Sequence, residues 1–208
     1  MLSKFSDPTR FPAFHELPSA SASAPAPEQA RPGPGEAEGE GEGEGEGEGD
    51  ASSSWWCLLA QVKENMTITQ PTLIATDRAG VDFALLFDDD RGAGLRGFRR
   101  GFTVAVPRAR RTDRAAEGKK AVVRVPPGAG VKVIPGGLDR VLELGVVLQG
   151  RGLGGKCAAC GKTEGPFLKC TGCGFAAYCG KDCQVKGWGE MDHKSNCKVL
   201  KSLKDILI

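Results

Sequence analysis

The 208-residue sequence falls into stretches of different fold class: a disordered acidic arm over 1–54, a small, mainly β barrel over 55–149, and a compact Cys-rich module with short helices over 157–197. A Gly-rich linker, 150–156, joins the two folded parts, and 198–208 extends the last helix. Three observations predict this. Composition and charge change abruptly near residue 54. Five or six short apolar runs, separated by turn residues, fill the next 96 or so positions. Seven of the eight cysteines lie after position 156.

The arm is read from its composition. The whole chain has a formal net charge of +2, yet residues 1–54 hold three basic and eleven acidic groups. Ser, Ala, Pro, Glu and Gly dominate, and glutamate alternates with glycine from Glu36 towards Asp50. Such a stretch buries too little apolar surface to offset its chain entropy, and its charges repel one another. It reads as a solvated spacer or as an acidic arm competing for a basic surface. The first fourteen residues have no apolar h-region and contain Asp7, Pro8 and Pro12, so no signal peptide is expected. No apolar run approaches the ~20 residues of a membrane helix. The expected setting is inside the cell, in nucleus or cytoplasm, and away from membranes.

The middle part reads as strands at 55–62, 72–76 and 81–87, the last two joined by the turn Asp77-Arg78-Ala79-Gly80. A basic connector, 95–101, has room for one or two helical turns. Strands follow at 102–106 and 121–125; 131–134 extends the last, and 141–148 is apolar and compatible with strand or helix. Five or six strands suit a closed barrel, because closure removes exposed edges. The order of three strands, short helix and two strands resembles the OB fold. That resemblance, with eight arginines between Arg91 and Arg114, implies single-stranded nucleic-acid binding as an alternative function. The stacking candidates are Trp55, Trp56, Phe83, Phe87, Phe98 and Phe102. Asp88, Asp89 and Asp90 oppose that basic field, and Cys57 reads as a core residue.

Residues 150–155, GRGLGG, formally match a dinucleotide-binding fingerprint, but a helix must open directly after such glycines. Cysteine ligands follow instead, so these glycines read as linker.

The chemistry lies in four pairs: Cys157-x2-Cys160, Cys170-x2-Cys173, Cys179-x3-Cys183 and His193-x3-Cys197. Eight soft donors make two tetrahedral sites with none left over, which fits structural zinc. Cys-x2-Cys sets two sulfurs on one tight turn, with Gly161, Gly172 and Gly174 able to take positive φ. The i, i+4 pairs place two donors on one helix face. Asp192 is a candidate cap for the last helix, which shows an apolar stripe through Val199, Leu200, Leu203, Ile206 and Leu207 with Lys198, Lys201 and Lys204 outside it. A disulfide knot would need an oxidising compartment and would leave His193 unexplained. Spacing leaves consecutive, interleaved and nested pairings open.

This ordered set, with Tyr178 before Cys179, Gln184 after Cys183, and Trp188, resembles the MYND-type zinc finger over residues 157–197. The resemblance implies interleaved zinc sites: Cys157, Cys160, Cys179 and Cys183 on the first, Cys170, Cys173, His193 and Cys197 on the second. It also implies a protein-interaction module of adaptor or regulatory type, with Gln184 and Trp188 receiving short proline-rich peptides. One departure stands out. Four residues separate Trp188 from His193, where many members have two. Residues 156–208 hold nine lysines against five acidic groups, and seven thiolates with two zinc ions bring that formal +4 to about +1. Catalysis is not expected. The only other histidine is His15, and filled four-ligand sites offer water no open position. Protein partners are expected, with no small-molecule substrate.

Overall fold

A computed structural model of the chain describes Phe5, residues 7–20, 55–88, Leu95, 97–150 and 155–207. The 21–54 part of the arm with its Glu-Gly tract, Arg91 and Arg96, Asp89 and Asp90, and linker residues 151–154 lie outside the described residues.

Seven strands form one sheet: β1 (Cys57–Asn65), β2 (Thr72–Asp77), β3 (Asp82–Phe87), β4 (Thr103–Pro107), β5 (Arg111–Thr112), β6 (Val122–Val125) and β7 (Lys132–Ile134). Their spatial order is β5-β6-β3-β2-β1-β4-β7, with every pairing antiparallel except β3 with β6. The sheet is therefore open, ending at β5 and β7, and the expected barrel closure is corrected. The β2–β3 turn is as expected, with Gly80 at φ 78° and its N–H donating to Asp77 O at 3.0 Å. The connector makes one 3-10 turn at Leu95 and Gly97, with Phe98 N–H donating to Leu95 O, followed by a turn from Phe102 N–H to Arg99 O. The ambiguous run at 141–148 is helical, within α1 (Leu138–Gly150).

Why the sheet need not close is visible in how its apolar residues divide. Alternate residues of β1 go to opposite faces. Leu58, Ala60 and Val62 join Leu73, Ala75, Phe83, Leu85, Val104, Val106 and Val123 in one core. Cys57 and Leu59 join Ala105, Ile134, Leu138, Val141 and Leu144 in a second. Both faces of β1 and β4 are thus buried, which makes those strands continuous apolar runs. By contrast β2 and β3 alternate, because only one of their faces is covered.

Part of both faces is covered by a segment that composition assigns to the disordered arm: Phe14 and Leu17 join the first core, Phe5 and Phe11 the second. Phe5, Phe11, Phe14 and Leu17 are all buried. Phe5 stacks on Phe11 with ring centroids 4.6 Å apart, and Phe14 stacks on Phe83 at 4.5 Å. The buried Asp77 carboxylate anchors the segment: Phe14 N–H donates to its Oδ2 at 2.7 Å, while Ala79 and Val81 N–H donate to Oδ1. Cys57 N–H donates to Arg10 O, and Arg111 exchanges backbone bonds with Pro18 and Ala20. The disordered reading is therefore corrected for Phe5 and residues 7–20. Three phenylalanines, each burying a large ring, outweigh the polar average of the stretch around them.

The Cys-rich module adds β8 (Leu168–Lys169), β9 (Ala177–Tyr178), α2 (Lys181–Gly189) and α3 (His193–Leu207). Its stripe of Val199, Leu200, Leu203 and Ile206 is buried, and Lys198, Lys201 and Lys204 are exposed. That stripe packs with Phe5, Phe11, Leu59, Ile134 and Val141 in the second core. The module and the sheet are therefore not separate beads: α3 lies against β7 and α1. Two glycines mark the closeness. A Cβ on Gly136 would fall 2.8 Å from Val199 Cγ2, and one on Gly145 2.3 Å from the Phe5 ring.

Candidate metal centre

The eight donors come together as two groups of four: Cys157, Cys160, Cys179 and Cys183, and Cys170, Cys173, His193 and Cys197. Within each group the ligand atoms lie within 4.8 Å of one another. The pairing left open by spacing is thus interleaved, the first and third pairs against the second and fourth.

Local backbone explains each knuckle. Gly161, at φ 77°, turns the chain so that its N–H donates to Cys157 O at 2.9 Å; Gly174, at φ 74°, does the same for Cys170 O at 2.8 Å. Gly172 serves a different purpose from the one expected. It has no positive φ, but a Cβ there would fall 2.9 Å from Cys197 Sγ. The β8–β9 hairpin carries the second knuckle, and Ala158 N–H donates to Ala177 O, tying the first knuckle to β9. Cys179 precedes α2, so only Cys183 of that pair lies on the helix, whereas His193 and Cys197 both lie on α3.

The donor geometry fits zinc. A Zn–S bond of about 2.3 Å gives a tetrahedron with edges of about 3.8 Å. Sulfur pairs stand at 3.6 Å (Cys160–Cys179), 3.5 Å (Cys179–Cys183) and 3.8 Å (Cys170–Cys197), and Cys173 Sγ is 3.9 Å from His193 Nε2. These are the edges of two ligand tetrahedra, far longer than an S–S bond, and all eight cysteines are free thiols. Two structural zinc ions, each held by four protein ligands, complete the module; they cross-link segments too short to form a core alone.

Protonation differs across the donors. Main-chain hydrogen bonding from Cys160 brings the Cys157 thiol down to about 6. Burial pushes Cys170 up, but hydrogen bonds from His193 and the Cys173 and Gly172 main chain outweigh it and leave the thiol at about 6. The hydrogen bond with Cys179 pushes Cys183 up to about 12, and burial followed by Cys170 pushes Cys197 up to about 12. Each set therefore holds thiols whose protons the metal must displace.

The second site is the more enclosed. All four of its ligands are buried, whereas Cys160 and Cys179 of the first are exposed. The His193 ring is held between the edges of Tyr178, at 5.9 Å, and Trp188, at 5.6 Å. Trp188 is itself 43% exposed, and Gln184, one helical turn earlier on α2, is exposed. The lengthened turn after Trp188 is taken up by Asp192 at φ 53°, a conformation Asp tolerates. Asp192 meets α3 through its main-chain carbonyl, which accepts from Asn196 N–H and Ser195 Oγ, in place of the side-chain cap expected.

Sequence reasoning missed Gly187. A Cβ there would fall 2.4 Å from the buried Tyr178 ring, so α2 rests directly on that ring. The tyrosine and glycine types were legible; their contact was not.

Five of the six stacking candidates have partners within the protein, Trp55 meeting Phe11 edge-on. Phe83 is in the core, Phe87 meets Phe98 edge-on, and Trp56 Nε1 donates to Ala109 O. Arg111 and Arg114 pair with Asp113 and Glu117.

Residues 157–197 match the MYND finger family. That stretch is a MYND-type zinc finger, a zinc-binding module of protein–protein interaction without catalytic chemistry of its own. No helix among the described residues is long and apolar enough to cross a membrane.

Proposed function

We propose that this protein is a non-enzymatic adaptor whose finger captures short proline-rich peptides on Trp188 and Gln184. The single observation that carries the reading is the half-exposed Trp188 beside exposed Gln184, on a helix whose neighbouring side is fixed by Cys183 and by the contact of Gly187 with Tyr178. An open indole offers a flat apolar face to proline rings, which arrive preordered, and a side-chain amide bonds an extended backbone. Filled four-ligand zinc sites give the surface rigidity and offer no open position for metal chemistry.

The test is Trp188→Ala in the full chain, titrated with a labelled polyproline peptide. The variant keeps two zinc ions per chain, because all eight ligands remain and Tyr178 still meets the His193 ring. Peptide affinity falls by about 2 kcal/mol, the scale of an interface hot spot, or roughly 30-fold. A variant that binds the peptide as tightly as the parent, with zinc content equal, refutes the reading.

A further inference from the structure

Trp188 lines a surface groove together with Lys194, Lys198 and Lys201 of α3. These lysines stand at i, i+4 and i+7, so they share one face over about 10 Å of helix. All three are exposed, and among the described residues none has an ion pair or a hydrogen bond from its side chain. Several basic groups of the sheet and α1 are paired, Lys63 with Asp82, Arg78 with Glu16, Arg124 with Asp88 and Arg140 with Glu143. Among the described residues, the one carboxylate lining the groove is Asp192. The zinc site behind Cys197, three thiolates and one neutral imidazole around a dication, adds a formal −1. Three ammonium groups still leave the groove positive.

We propose that this groove selects proline-bearing peptides that continue into acidic residues. The inference rests on the peptide-reading role of Trp188 and names the class of partner that role serves. A proline ring on the indole sets the start of the peptide, and the chain then runs along α3. An extended or polyproline strand advances about 3 Å per residue, so carboxylates within about three to six positions of the stacked proline meet Lys198 and Lys201. Each exposed pair is weak and screened by salt, so the lysines act as a filter of partners more than as an anchor.

The experiment uses the full zinc-loaded chain and three labelled peptides of the same polyproline segment, tailed with glutamates, serines or lysines. At low salt the glutamate peptide binds roughly 10-fold tighter than the serine peptide and the lysine peptide weaker than both, and added salt narrows the differences. A Lys198→Glu/Lys201→Glu variant with normal zinc content reverses the order. Equal binding of the three peptides, still abolished by Trp188→Ala, overturns the acidic preference and leaves the peptide-reading role standing. No binding by any of the three, with residues 36–50 present or deleted, overturns both. A glutamate peptide that binds only after deletion of residues 36–50 assigns the groove to the chain's own acidic tract and overturns the assignment to an outside partner.

Discussion

Truncation of Leu203 to alanine separates a finger merely tethered to the sheet from one that shares its core. Leu203 is fully buried on α3, in a cluster that holds Phe5, Phe11, Leu59 and Ile134 from the sheet side and Cys170 and Cys197 from the metal side. The change removes three carbons, about 0.8 kcal/mol each in transfer free energy, or about 2.4 kcal/mol. A partly collapsed cavity adds to this, so the expected loss is about 3–4 kcal/mol. For a chain of this size that lowers the melting temperature by roughly 6–16 °C. Two probes follow the same melt: near-UV signal, to which Trp55 packed on Phe11 contributes, and zinc transfer to a chromogenic chelator. Both move together in the variant. Leu168→Ala, the same kind of truncation at a residue 60% exposed on the β8–β9 hairpin, changes stability by no more than about 0.5 kcal/mol. A Leu203→Ala protein that loses zinc early while the sheet melts at the parent temperature refutes the shared core.

Gly187→Ala sets two effects of opposite sign against each other. Alanine is the better helix former by about 1 kcal/mol, but its Cβ enters the Tyr178 ring, and overpacking costs about 1–3 kcal/mol. Faster zinc transfer to a chelator is expected, with Gly189→Ala, where a Cβ meets nothing within 4 Å, as the control; an unchanged rate in Gly187→Ala contradicts the contact. Zinc affinity falls as pH falls, because Cys183 and Cys197, at about 12 without metal, must release protons to bind it. Competition titrations between pH 6 and 8 read this, and a flat profile contradicts it. Glu16 is held below its ordinary value of 4.5, first by Ala13 N–H at 2.6 Å and then by Arg78. A depressed carboxylate contributes stability above its unfolded value and loses it as pH falls through the folded one. Hydrogen exchange at the N-terminal segment therefore accelerates in acid, and Glu16→Gln shows part of that acceleration at neutral pH; identical profiles for the two proteins sink the assignment.

The eight metal ligands, their count and their chemistry were determined by the sequence alone. A Cys-x2-Cys knuckle is local: its turn, its glycine and its two sulfurs lie within five residues. The amphipathic stripe of α3 and the turn at Asp77–Gly80 were legible for the same reason, since helical period and turn chemistry need no distant partner. Tertiary structure decided how the knuckles pair, because the interleaving of Cys157/Cys160 with Cys179/Cys183 depends on the β8–β9 hairpin folding back. It also decided that the sheet stays open. The continuous apolar runs of β1 and β4 suit a closed barrel and a doubly covered sheet equally, and only the packing of α1, α3, Phe5 and Phe11 on Cys57, Leu59 and Ala105 distinguishes them. The arm was misjudged on the same ground. Composition averages over a window, whereas Phe11 and Phe14 each find a partner ring or a buried carboxylate far along the chain, and Phe5 stacks on Phe11 and lies against Gly145. Burial is a property of contacts between distant residues. Ligand chemistry is a property of neighbours, and that difference divides what this sequence states from what its fold had to supply.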